Sequence, residues 1–188
     1  MNASQTIVIN FTYNIKLFNM KNLKNTFCIA FLSLVTAFGA TAQEKKASPA
    51  EVAQGKINGA AVTINYSSPS VKGRVIWGEL VPFGKIWRAG ANEATTIETN
   101  KDLTIEGQNL PAGKYSIFVI PEKTEATVIF NKVAKQSGTS KYSQSEDVFR
   151  VKVKPQARKE KAERLVYTIS PETIVLSWDN WDIPLKVK

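Results

Sequence analysis

Residues 75–95 carry the most varied side-chain chemistry in the chain. They include two tryptophans and four residues that make directional or charged contacts: Trp77, Trp87, Lys85, Arg88, Asn92 and Glu93. Flat aromatic rings offer stacking area, while guanidinium, amide and carboxylate groups offer hydrogen bonds of fixed direction. This combination favours a non-catalytic module that binds a small polar or carbohydrate-like ligand.

The same residues allow two other interpretations, and a third interpretation concerns another part of the chain. Glu93 as a general base and Arg88 as an oxyanion or carboxylate clamp would suit a hydrolase or lyase. Alternatively, Trp77 and Trp87 plug the end of a β-sandwich, and Arg88 and Glu93 form an internal ion pair. The third is a structural or assembly role in the cell envelope, through an exposed strand edge such as the one near Pro184.

The absence of histidine limits the kinds of catalytic and metal sites that the chain can form. The chain has no His, and its single cysteine is Cys28. Serine and cysteine nucleophiles usually need a histidine base, and zinc, copper and iron sites rely on His and Cys. Residues 179–182 lack the further oxygen ligands of a calcium loop, and no Walker or dinucleotide glycine loop occurs. We therefore expect no metal and no cofactor.

The N-terminal region has the three parts of an export signal. Residues 20–24 are basic, residues 27–38 are apolar and residues 40–42 are small, which predicts cleavage after Ala42. Residues 1–19 fit no part of this signal and are interpreted as an over-extended gene start. A spanning helix needs about 20 apolar residues, so we expect no transmembrane segment in the mature form. The mature form, exported to the periplasm or beyond, would contain no cysteine.

The remaining chain is predicted to be all-β. Residues 43–50 are polar and suit a flexible lead-in, and residues 51–188 suit a single antiparallel β-sandwich or jelly-roll domain of about nine strands. Residues 115–120 are apolar at nearly every position, which predicts a central strand buried on both faces.

Breaks between the strands are predicted from turn residues. Residues 100–102 suggest a hairpin-type break, and residues 76–80 suggest one helical turn. Residues 135–147 form a long polar stretch that is either a lid or disordered. A turn at residues 179–180 would pair Trp178 with Trp181, and the apolar residues beyond them in the same register.

A basic stretch, interrupted by Glu160 and Glu163, runs from Arg150 to Arg164. The simplest interpretation is a solvated strand face, and the alternative is contact with an acidic glycan, lipid headgroups or another anionic partner. No stacking aromatics alternate with these charges, so nucleic acid is not an expected partner. The oligomeric state does not follow from the sequence.

Several motifs resemble the domain of unknown function family 2911. They are WRAGANEAT at 87–95 with the preceding LVPFGKI, LPAGKYS at 110–116, VIFNK at 128–132, LSW at 176–178 and IPL at 183–185. The resemblance covers roughly residues 48–187 and implies an exported bacterial β-domain without established activity or catalytic residues. In the loop before Asp147 the family often has Trp-Gly and Asn-Tyr-Asp, where this chain has TSKYS.

Overall fold

Alternating apolar and polar residues account for most strands in the computed structural model, which describes residues 47–188. In chain order these strands are β1 (Ala50–Ile57), β2 (Ala60–Ser67), β3 (Thr95–Thr99), β4 (Leu103–Ile105), β5 (Gln108–Leu110), β6 (Gly113–Pro121), β7 (Ala126–Asn131), β8 (Asp147–Val153), β9 (Gln156–Ser170) and β10 (Thr173–Lys186). A 3-10 turn, Gln144–Glu146, precedes β8. The predicted gene-start segment, the export signal and residues 43–46 of the predicted lead-in lie outside the described residues.

Six strands form one antiparallel sheet in the order β1-β2-β3-β6-β7-β8. β9 and β10 form a long hairpin, and β4 and β5 form a short one. Apolar side chains of the sheet, such as Ile64 and Ile117, share one buried core with Tyr167 and Leu176 of the long hairpin and Leu103 of the short one. The described residues therefore form a single antiparallel β-sandwich domain, as the sequence predicted.

Strand β6 lies inside the six-stranded sheet, between β3 and β7. Its residues Ile117 and Val119 point into the main core. Phe118 points to the opposite face, which we call the outer face, and packs there with Ile129. The prediction of a central strand buried on both faces is confirmed.

The predicted turn at residues 179–180 is wrong. Strand β10 runs through this point, and the hairpin loop consists of residues 171 and 172, because Ser170 pairs with Thr173. Asp179 has φ +49°, and the pairing of β10 with β9 shifts register on both sides of it. Like a turn, this bulge changes which face consecutive residues occupy, so the buried positions pass from Trp178 to Ile183.

The structure differs from three further local predictions. Residues 76–80 form turns and bridges, not a helical turn. Residues 100–102 do not close a hairpin, because β3 pairs with β2 and β6 while β4 pairs with β5. The 135–147 stretch packs on the outer face instead of being disordered: Gln136 is buried, and the Tyr142 ring meets Phe118 at 5.0 Å.

Candidate functional site

The four tryptophans pack against one another. Trp77 stacks on Trp181 with ring centroids 4.6 Å apart, and Trp87 stacks on Trp178 at 5.6 Å. Edge contacts of Trp77 with Trp87 at 5.8 Å and with Trp178 at 6.1 Å join the two pairs. Trp181 is half-buried and the other three are buried. Most of this aromatic surface is therefore used for packing.

The polar candidates of residues 85–93 do not converge on one site. Arg88 lines one cavity, Asn92 and Glu93 line another, and Lys85 is exposed and lines neither. Within residues 47–188, Arg88 and Glu93 form no ion pair with each other. Neither the internal ion pair nor a shared catalytic cleft for these two residues is present.

Hydrogen bonds hold the backbone around Arg88 in place. Trp87 exchanges two backbone hydrogen bonds of 2.8 Å with Val119 of β6. The Ala89 carbonyl accepts from the Tyr167 hydroxyl at 3.0 Å and from the Thr95 hydroxyl at 2.8 Å. Burial raises the pKa of Tyr167, so this hydroxyl stays protonated and able to donate.

We call the first of three open cavities the aromatic cleft. Its volume is about 590 Å³, and its wall includes aromatic, charged and amide side chains: Arg74, Trp77, Phe83, Lys161, Glu163, Asp179, Asn180 and Trp181. The rings of Phe83 and Trp181 lie 6.1 Å apart, and both are half-buried. Nε1 of Trp77 and Oδ1 of Asp179 are both buried without a hydrogen-bond partner among the described residues.

The bulge in β10 positions Asp179 in the aromatic cleft. Its left-handed backbone conformation is one that Asp tolerates better than most residues. Lys161 Nζ lies 3.1 Å from Asp179 Oδ1, but the lysine side chain is 72% exposed. This pair is an ion contact with a solvated partner, which a ligand can displace at little cost.

We call the second the cationic cavity, with a volume of about 380 Å³. Lys72, Arg74 and Arg88 line it together with Trp87 and Trp178, and no acidic residue does. Two buried donors there, Arg88 Nε and Trp178 Nε1, have no partner among the described residues.

The third, the outer-face cavity, measures about 580 Å³ and is lined by Asn65, Asn92, Glu93, Lys114 and Gln136, among others. Two of its polar side chains are occupied, whereas Gln136 Oε1 is buried without a hydrogen-bond partner among the described residues. Asn92 donates to the Ser48 carbonyl at 3.2 Å, and Lys114 pairs with Glu98 at 3.2 Å.

A buried hydrogen-bond network continues from Gln136 beneath the neighbouring loop. Gln136 Nε2 donates to Asn131 Oδ1 at 3.0 Å, and Asn131 Nδ2 donates to Asp147 at 2.9 Å. Asp147 in turn accepts from the Tyr142 hydroxyl at 2.7 Å and from Arg150 at 2.8 Å. This network fixes the 132–147 loop on the sheet, which suits a structural role.

Sequence reasoning missed several residues of the aromatic cleft and the cationic cavity. Trp178, Asp179 and Trp181 were assigned to a hairpin, and the position of Phe83 and Glu163 was not foreseen. The run Trp-Asp-Asn-Trp at residues 178–181 could have indicated this site from the sequence. Two tryptophans beside an acid and an amide are as suitable for binding a ligand as residues 75–95.

Residues 47–188 contain no group of three or more His, Cys, Asp or Glu residues that could hold a metal ion. In the same residues, no helix is long and apolar enough to cross a membrane.

Comparison with known proteins gives one match. No curated protein and no solved structure matches the chain. The model of a family described as "Protein of unknown function (DUF2911)" matches residues 48–187, which is well over half of the chain, and the protein therefore belongs to this family.

Proposed function

We propose that this protein is a non-catalytic binding module that takes a small polar, carbohydrate-like ligand in the aromatic cleft. One observation carries the proposal: two residues that line this cleft hold buried polar atoms that no hydrogen bond within residues 47–188 satisfies. They are the donor Trp77 Nε1 and the acceptor Asp179 Oδ1, whose charged neighbour is the exposed Lys161 ammonium at 3.1 Å. Leaving such groups unpaired costs about 1–3 kcal/mol each. A hydroxyl group can both donate and accept, so a polyol satisfies both atoms.

The aromatic wall supports the same ligand class. Trp181 and Phe83 are half-buried, so each ring contributes surface to the cleft. Trp181 is held from behind by its stacking on Trp77, which fixes its orientation before a ligand binds. A rigid aromatic ring suits the apolar C–H face of a sugar.

Charge balance favours a neutral ligand. Arg74 and Lys161 contribute two positive charges to the cleft, and Glu163 and Asp179 contribute two negative ones. Because the charges balance, a neutral polar molecule is preferred over an ion of either sign. Asn180 adds an amide that can donate and accept.

The two alternative functions have less support. A hydrolase or lyase based on Glu93 and Arg88 needs both in one cleft, whereas they line different cavities. An assembly role through the strand edge near Pro184 is weakened because the end of β10 is already bonded: Thr104 and Lys188 exchange two backbone hydrogen bonds of 2.8 Å.

Glycan-array screening followed by titration calorimetry tests the proposal. The best mono- or disaccharide should bind the wild type, and Trp181→Ala should lose at least tenfold in affinity because it removes the stacking face. Trp77→Phe, which removes one donor, should lose about tenfold. Tyr115→Phe, which removes a donor that bonds the Pro111 carbonyl away from the cleft, is the matched control.

Two results would overturn the proposal. One is the absence of any saccharide that binds more tightly than about 10 mM. The other is equal affinity in the wild type and a folded Trp181→Ala variant, with folding checked by circular dichroism.

Export is a separate part of the proposal. Sequencing of the mature N-terminus should find Gln43 as the first residue.

A further inference from the structure

We infer that the cationic cavity is a second binding site, which shares Arg74 with the proposed saccharide cleft but has its own buried donors, and that it takes a small anion bearing a carboxylate, phosphate or sulfate group. The inference starts from Arg88 Nε and Trp178 Nε1, which are buried without partners although their residues line this cavity. Trp178 is 1% exposed, so bulk water does not compensate its N–H. Both atoms are donors only, which calls for an acceptor.

The charges around the cavity specify what kind of acceptor. Lys72, Arg74 and Arg88 line it, and none of its lining residues is acidic. The nearby acid Glu163 lines the aromatic cleft instead and accepts a hydrogen bond from the Lys72 backbone at 3.0 Å. A cavity with several cations, no acidic side chain and partial shielding from water stabilises an anion more than a neutral polar group.

The donors are held in position by bonds that leave N–H groups free. Arg74 donates through Nε to the Val71 carbonyl at 3.0 Å and through one terminal nitrogen to the Ser70 carbonyl. A guanidinium has five N–H groups, so three remain for a ligand. Trp178 is fixed by stacking on Trp87, whose own Nε1 donates to the Gly90 carbonyl at 3.0 Å. The site is therefore preorganised.

The volume of the cavity limits the size of the ligand. Its volume of about 380 Å³ is at the lower end of small-molecule pockets, which suits an anionic group with a few attached atoms. The two buried N–H groups of Arg88 and Trp178 suit a polyatomic anion, because its several oxygens can each accept a hydrogen bond.

Calorimetry with inorganic phosphate, inorganic sulfate and citrate as probes tests the inference at constant ionic strength set with sodium chloride. At least one probe should bind saturably and raise the melting temperature by roughly 5–10 °C at a hundredfold excess over its Kd. Arg88→Gln and Trp178→Phe should each weaken that binding by about tenfold or more. Comparing the binding of phosphate and sulfate with that of citrate distinguishes phosphate- and sulfate-type ligands from carboxylates.

Lys123→Gln is the matched control, because it removes one exposed positive charge at the β6–β7 turn, outside the cavity. It should bind the probe within twofold of the wild type. The inference is overturned if none of the three anions binds below about 10 mM, or if Lys123→Gln weakens binding as much as Arg88→Gln. Failed saccharide binding with intact phosphate binding would refute the proposed function alone, and the reverse result would refute this site alone.

Discussion

Trp87 and Trp178 are stacked neighbours whose indole N–H groups differ in hydrogen bonding. Nε1 of Trp87 donates to the Gly90 carbonyl at 3.0 Å, whereas Nε1 of Trp178 has no partner among the described residues. Both rings are buried and lie nearly parallel, at 19°. Replacing each in turn by Phe removes a similar volume, so the difference in unfolding free energy between the two variants isolates the hydrogen bond.

The expected difference follows from the two N–H groups. Trp87→Phe removes the hydrogen bond from Trp87 Nε1 to the Gly90 carbonyl and leaves that buried carbonyl unpaired. This adds about 1–3 kcal/mol to the cost of the lost volume. Trp178→Phe removes a buried unpaired donor, which offsets the lost volume by a comparable amount. We therefore expect Trp87→Phe to be less stable than Trp178→Phe by about 2–6 kcal/mol, or roughly 6–18 °C in Tm at about 3 °C per kcal/mol.

Urea unfolding followed by far-ultraviolet circular dichroism, in buffer free of polyvalent anions, measures this difference. Trp77→Phe is an internal comparison, because Nε1 of Trp77 is also unpaired, and it should behave like Trp178→Phe. Equal stability of the Trp87 and Trp178 variants, or the reverse order, would show that Trp178 Nε1 is already paired. That result would also remove the main support for the anion site.

Two further predictions concern the sheet itself. A Cβ added at Gly55 would lie 2.5 Å from Cγ2 of Ile169, so Gly55→Ala should lower the free energy of unfolding by about 1–3 kcal/mol in a urea titration, and an unchanged midpoint would contradict this packing. Burial and the hydrogen bond to Asp147 raise the pKa of Tyr142 from 10.0 to about 12, so its neutral form stabilises the fold fully below pH 10 and this contribution is lost as the pH rises towards 12. Tyr142→Phe should show a smaller loss of stability than the wild type between pH 10 and 12 in urea titrations, and superimposable pH profiles would refute this role.

Much of the fold was predictable because strand patterns are local. Alternation in residues 61–66 and 148–154 matches β2 and β8, and the continuous apolar run 115–120 matches β6. Burial follows the same pattern, since Val62 and Ile64 are core residues of β2. The edge strand β1 was missed because its sequence AEVAQGKI is largely exposed and carries little alternation.

Most of the predicted site residues line one of the three cavities, whereas Lys85 lines none of them, and the sequence did not indicate this arrangement. Residues 75–95 do contribute to all three cavities, through Trp77, Arg88 and Glu93 respectively. Their division among three cavities depends on turns with left-handed residues, such as Ala89 and Asn92. Residues from far along the chain complete each surface, such as Asp179 in the aromatic cleft, Trp178 in the cationic cavity and Gln136 in the outer-face cavity. No local sequence pattern indicates which distant residue lies at each cavity.

The sequence by itself determined the all-β class, through the period of its apolar residues, and excluded chemistry that requires histidine. Only the tertiary structure shows that the backbone at Asp179 forms a bulge and not a turn. A turn and a bulge both change the face that successive side chains occupy, so the apolar pattern around Trp178 and Ile183 is the same for either. Only the pairing of β10 with β9 distinguishes them, and that pairing carries Asp179 and Trp181 to the wall of the aromatic cleft.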